Sequence, residues 1–235
     1  MNTRRNTLIL AVIAILAVSL VGPAHGAMVG VNYSVIDKDV TGTAGAVPQA
    51  NWNNESMTHG NGPKTGGLAS LVDNNNATVT GMATSWSANA TYGNGASAGG
   101  TDTTLLYGGL EAQGAYSETN KIVITGIPYD EYDLYLYVKG WTDGRTGEAK
   151  IGTAAIGFNT LKDFPGSHSE ATSAATTGTY VLWEGLTDAD VDIYFRKANN
   201  NIMIPGFQVV EVPEPATMSL LALGALAMLR RRKRA

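Results

Sequence analysis

Four tryptophans, Trp52, Trp86, Trp141 and Trp183, are the side chains of this chain best suited to recognition chemistry. Sugar rings present C–H faces that pack on aromatic planes, while neighbouring Asn and Asp side chains bond the ring hydroxyls. Trp86 stands close to Asn89 and Tyr92, and Trp141 closes an alternating segment just before Asp143 and Arg145. Trp86, Trp141, Tyr92 and Asp143 are therefore the candidate glycan-binding residues. Trp183 lies inside an alternating segment and reads, with Trp52, as core.

Catalytic chemistry finds less support. The chain has no Cys, which excludes thiol nucleophiles, thiolate zinc sites, iron–sulfur clusters and disulfides. Gly95-Ala96-Ser97-Ala98-Gly99 matches the Gly-x-Ser-x-Gly pattern of a nucleophile elbow, but that elbow needs a strand before it and a helix after it. Here the pattern sits in a glycine-rich stretch. Gly60-Asn61-Gly62-Pro63-Lys64-Thr65 looks like a phosphate loop, except that Pro63 replaces the glycine whose N–H would bind phosphate. Glycosidic cleavage needs two opposed carboxylates, and nothing in the sequence selects a pair. The expectation is a non-catalytic body, with a secreted glycan-active hydrolase or lyase as the alternative. No cofactor is expected. The alternating Asp188, Asp190 and Asp192 are the type of donor a structural Ca²⁺ would use, but they lack the glycine of an EF-hand loop and fall on one solvent face.

Charge excludes a further class. The chain carries 16 basic and 20 acidic residues, but the basic ones crowd its ends. Residues 27–212 hold 9 basic and 19 acidic residues, a net charge of −10. Such a body repels phosphate backbones, so nucleic acid is not a partner.

The ends read as addresses. Arg4 and Arg5, an apolar run from Leu8 to Val21, the helix-breaking Gly22-Pro23 and the small residues Ala24 and Gly26 form the three parts of a secretory signal. Signal peptidase would cut between Gly26 and Ala27, and the pattern suits Sec export. At the other end, Pro213-Glu214-Pro215 keeps the backbone extended ahead of an apolar stretch from Ala216 to Leu229. Arg230, Arg231, Arg232, Lys233 and Arg234 then hold the end on the cytoplasmic side of a membrane. A helix over that apolar stretch covers about 21 Å of a roughly 30 Å hydrocarbon core, a marginal span.

These C-terminal residues resemble the PEP-CTERM sorting signal of Gram-negative bacteria that secrete extracellular polysaccharide. The resemblance implies handling by an exosortase, a membrane protease acting near Pro213, Glu214 and Pro215. It further implies an inner-membrane intermediate and a destination at the cell surface or in the extracellular matrix, with extracellular polysaccharide as the expected partner.

Between the addresses, period-2 alternation dominates. It predicts strands over 29–35, 121–125, 132–139, 179–184, 191–196 and 202–212, with shorter ones over 78–84, 104–107 and 154–159. Residues 41–100 read as long loops with one or two short strands. The segment Ile122 to Pro128, followed by Tyr132-Asp133-Leu134-Tyr135, resembles a hairpin of galactose-binding-like jelly rolls, and Ile204 to Val209 is similar to their last strand. The expected organisation is a signal peptide over 1–26, a single all-β jelly-roll-like β-sandwich over 27–211 and a sorting segment over 212–235. A signal helix and a C-terminal hydrophobic helix would flank the sandwich.

Overall fold

A computed structural model describes residues 26–93, 101–114 and 119–213. The signal helix, Gly95–Gly99, the C-terminal hydrophobic helix, Glu214, Pro215 and the basic cluster lie outside the described residues. Among the described residues no helix is long and apolar enough to cross a membrane.

Residues Ala27–Val212 form one compact, almost wholly β unit. Its strands in chain order are β1 (Met28–Val35), β2 (Asn53–Met57), β3 (Gly60–Leu68), β4 (Leu71–Val72), β5 (Thr78–Val79), β6 (Ala83–Gly93), β7 (Gly108–Ala112), β8 (Lys121–Thr125), β9 (Tyr132–Gly140), β10 (Arg145–Ile151), β11 (Ala154–Thr160), β12 (Thr177–Gly178), β13 (Tyr180–Leu186), β14 (Val191–Lys197) and β15 (Ile202–Glu211). One short helix, Thr101–Leu105, precedes β7.

Thirteen of these strands make one continuous sheet that folds on itself into a sandwich. One layer runs β13–β9–β15–β1–β2, and the other runs β12–β11–β10–β14–β8–β6–β3. β7 joins them, bonding β6 on one side and β15 on the other. Pairing is antiparallel except between β1 and β2 and between β11 and β12. Alternation in sequence becomes alternation in space. Val29, Val31, Tyr33 and Val35 of β1 face Ile122 and Ile124 of β8 and Val191, Ile193 and Phe195 of β14 across one core, joined by Leu134, Leu136, Phe207 and Val209. Each large side chain removed from water there contributes about 1.5–3 kcal/mol.

The first layer is buried on its outer face as well. Residues 38–52 fold over it, placing Val40, Ala44 and Trp52 against Tyr137, Leu105 and Leu106. The polar anchor is Gln208 in β15, 0% exposed. Its Nε2 donates to Val47 O at 2.8 Å and to Gln49 Oε1 at 2.9 Å, and its Oε1 accepts from the Tyr137 hydroxyl. That hydroxyl in turn accepts from Ala46 N at 2.7 Å. Gly45 passes directly over Gln208 with φ 103°, where a Cβ would meet the amide at 2.5 Å, so only glycine fits. Asp102 completes the attachment, accepting from Gly45 N at 2.7 Å and pairing with His168 Nε2 at 2.9 Å.

Three expectations change. Residues 41–100, expected as long loops with one or two short strands, contain five strands, β2 to β6. Residues 104–107 are not a strand: the helix reaches Leu105, and Leu105 with the following Leu106 plugs the outer-face core while the strand starts at Gly108. Residues 78–84 divide at a turn around Gly81 (φ 84°) into β5 and the start of β6.

Inside the sandwich, Glu55 of β2 is buried beside Tyr33, Thr84 and Trp86, under Gly66, whose missing side chain leaves the space. Burial raises the Glu55 carboxyl above its ordinary pKa, more than the neighbouring Trp86 indole and the Gly67 backbone lower it. The folded protein therefore holds this proton more tightly than the unfolded chain. The stability Glu55 contributes is greatest below the unfolded value of about 4.3 and is lost as pH rises through the folded one. Glu55→Gln should flatten that decline and raise stability at neutral pH, as read from urea unfolding between pH 4 and 8.

Candidate functional site

A groove of about 290 Å³ opens where β7, β9 and β15 come together, lined by Asn61, Tyr92, Glu111, Gln113, Trp141, Arg145 and Asn201. Strand register creates it. Glu111 sits opposite Ala90 of β6 and opposite Met203 of β15, while Met203 also faces Lys139 on β9. The strand pairing therefore carries Trp141, just past the end of β9, to the carboxylate of Glu111.

Three rings follow one another, Tyr92 and Trp141 lining the groove and His59 packing against Tyr92. His59 meets Tyr92 edge-on at 4.5 Å, and Tyr92 meets Trp141 edge-on at 5.4 Å. The Tyr92 hydroxyl donates to Asn61 Oδ1. Glu111, 2% exposed, accepts from Trp141 Nε1 at 3.2 Å and from Gln113 Nε2 at 2.8 Å, one bond to each carboxylate oxygen. Gln113 is itself fixed by its N–H, which donates to Asn89 Oδ1 at 3.0 Å. On the opposite wall Arg145 donates from Nη1 to Asn201 O at 2.8 Å and from Nε to Thr142 Oγ1 at 3.2 Å. Each polar side chain is thus held by a second group, which lowers the entropy lost when a ligand binds. Behind the groove, Lys139 is buried with its Nζ 3.4 Å from Tyr107 O, and burial lowers its ammonium to about 8.

Of the four residues expected to bind glycan, the structure brings Tyr92 and Trp141 together. Trp86 is in the sandwich core, 6% exposed and edge-on to Tyr33 at 6.1 Å, where no sugar reaches it. Asp143 is exposed outside the groove and accepts from Lys162 N at 2.8 Å, holding a turn. Trp183 and Trp52 are both buried, in the inner and outer cores respectively. Glu111, Gln113, Asn61, Asn201 and His59 carried no local sequence signal. Arg145 did, through its place beside Trp141.

Other candidate chemistry resolves into structure. Residues 60–65 belong to edge strand β3, with Gly62 and Pro63 forming a bulge in its pairing with β6. Asp190 accepts from Gly126 N at 2.9 Å, Asp192 pairs with Lys121 at 2.8 Å, and the Asp188 carbonyl accepts from the Tyr132 hydroxyl. Among the described residues no three His, Asp or Glu side chains converge as a metal site. At the ends of the body, Ala27 is docked on the sheet and Pro213 is exposed.

Comparison with known proteins adds one specific finding. The PEP-CTERM protein-sorting motif matches residues 211–234, beginning at the last residue of β15. The chain thus carries the sorting signal of exported proteins of Gram-negative bacteria. No curated protein matches it. Matching solved structures include the β-glucuronidase of Bacteroides uniformis and B. uniformis β-glucuronidase 2 covalently bound to cyclophellitol-6-carboxylate aziridine, each at TM-score 0.31 and 11% identity. A calcium-binding mutant of β-glucuronidase 2 matches at TM-score 0.31 and 9% identity. Each match covers 68% of this chain and 20% of the other, so the chain spans about a fifth of those proteins. A likeness this slight carries no argument about activity.

Glu111→Ala removes the acceptor shared by Trp141 and Gln113. It should cost about 1–3 kcal/mol in chemical denaturation and shift tryptophan emission to the red as the Trp141 ring is released.

Proposed function

We propose that the body is a non-catalytic glycan-binding domain, exported and sorted by exosortase to the cell surface or the polysaccharide matrix. The observation that carries this reading is the pairing of Tyr92 and Trp141 in one groove with Glu111 and Arg145. The rings offer apolar surface to sugar C–H faces. Gln113, Asn61 and Arg145 offer donors and the two amides acceptors to hydroxyls, while the buried Glu111 holds Trp141 and Gln113 in place. At about 290 Å³ the groove lies at the small end of ligand pockets, suited to one or two sugar rings of a longer chain. The non-catalytic part of the reading is supported by the single carboxylate among the described lining residues, since glycosidic cleavage uses two.

Processing by signal peptidase between Gly26 and Ala27, and by exosortase near Pro213-Glu214-Pro215, belongs to the same proposal. The apolar stretch 216–229 would hold the intermediate in the inner membrane, with Arg230 to Arg234 on the cytoplasmic side. A Ca²⁺ at a loop carboxylate forms no part of it.

Glycan-array binding of the processed protein, followed by calorimetry, tests the groove. Trp141→Ala and Tyr92→Ala should each weaken binding tenfold or more, about 1.4 kcal/mol, while Asp143→Asn leaves it unchanged. Turnover of a bound glycan would reverse the non-catalytic reading. Intact mass tests the sorting. A species ending near Val212 is expected from the native chain, and a full-length species in the membrane fraction after Pro213-Glu214-Pro215 is replaced by alanines.

A further inference from the structure

The two ends of the body meet. β1 and β15 are antiparallel neighbours, with Met28 opposite Val210. One step beyond this ladder, Glu211 N donates to Ala27 O at 2.9 Å, and Ala27 N donates back to the Glu211 carboxylate, Oε2, at 2.8 Å. The residues on either side are also tied down. Met28 N donates to Asn74 Oδ1 at 3.1 Å, Asn74 N donates to Met28 O at 2.8 Å, and Val212 N donates to Glu131 O at 2.9 Å.

Ala27 N is the nitrogen of the bond that the N-terminal signal marks for cleavage. In the uncut chain it is an amide with one N–H and no charge. Hydrolysis adds water across the Gly26–Ala27 bond: the hydroxyl goes to the Gly26 carbonyl carbon and a hydrogen to Ala27 N. The new Gly26 carboxyl then ionises, and the Ala27 amine takes up a proton. An ammonium with three donors then occupies the position where a single N–H already meets a carboxylate.

We infer that signal cleavage creates an ion pair between the Ala27 α-ammonium and Glu211, clasping the start of β1 to the end of β15 two residues before Pro213. The inference rests on the export reading and is independent of glycan binding. The amide–carboxylate bond of the uncut chain already has one charged partner; cleavage adds a full positive charge and two further donors opposite Glu211, in a partly buried place where solvent screens the pair less than at the surface. Removal of the leader thereby becomes a tightening of the strand that feeds the sorting motif. The Glu211 side chain, otherwise an unremarkable acid at a strand end, acts as a receptor for the newly made terminus.

The test compares the full chain before and after leader removal, both in one detergent, with Ala24→Leu and Gly26→Leu blocking cleavage in the uncut form. N-terminal sequencing of the processed protein should read from Ala27. Glu211→Gln should lower the Tm of the processed protein by about 2–4 °C and that of the uncut protein by less than half as much. A second readout does not depend on stability: acylation of the Ala27 amine at neutral pH should be several-fold faster in E211Q than in the native protein. An equal Tm loss in both forms, or an acylation rate that Glu211→Gln does not change, overturns the ion pair. A terminus at another residue overturns it as well, and a chain still beginning at Met1 overturns the export reading with it.

Discussion

β15 is the strand on which the body depends, because nine of its ten residues are buried and both of its faces are covered. A strand in that position cannot leave polar groups to water. Its backbone is taken up by β1, β7 and β9, and its inward side chains, Phe207 and Val209, enter the sandwich core. The outward Gln208 has three partners from two segments, Tyr137 of β9 and Val47 and Gln49 of the overlying loop. That requirement for full hydrogen bonding draws residues 44–49 onto the sheet and makes a second, smaller core out of a segment poor in large apolar residues. The groove has the same origin. The pairing of β15 shifts register between Met203 and Gly206, and before that shift it holds β7 on one side and β9 on the other. Glu111 and Trp141 approach each other because the same stretch of β15 binds both their strands.

The polar side chains of this groove are fixed by hydrogen bonds to one another and to the backbone. Glu111 spends one carboxylate oxygen on Trp141 and the other on Gln113, and Arg145 is braced by Asn201 and Thr142. The aromatic rings are wedged edge to face. Little remains to be ordered when a ligand arrives, so the modest area available can be converted efficiently into affinity. A neighbourhood of this kind favours neutral hydroxyls over a single strong charge, since an acid and a guanidinium share the same small space.

The sequence revealed the strands with a regular apolar pattern. The run 121–125 is β8 as predicted, and β1, β9, β14 and β15 match to within one or two residues, because alternating apolar residues mark a strand directly, even in β1 and β15, where both faces are buried. It concealed β3, written Gly-Asn-Gly-Pro-Lys-Thr-Gly-Gly-Leu, and β10, whose fully buried residues are the small Gly147 and Ala149. Those strands exist because neighbours recruit them, and nothing local announces that. The groove was legible only in part for a related reason. Tyr92 and Trp141 stand out by type, but Glu111 looks like any acid until β7 is known to bridge the layers. Trp86 was misjudged because its proximity to Asn89 and Tyr92 in sequence suggested a cluster, whereas β6 alternation turns its indole to the interior.

The adjacency of Ala27 and Glu211 has a consequence for how such a body can be used. Its two ends leave from one corner, separated by about one strand spacing of roughly 4.8 Å. A domain closed in this way behaves as a cassette. It can be spliced into a surface turn of another protein, or have its old ends joined and new ones opened elsewhere, without stretching the host or itself. Two-ended attachment then places no more demand on the surrounding chain than a tight hairpin does.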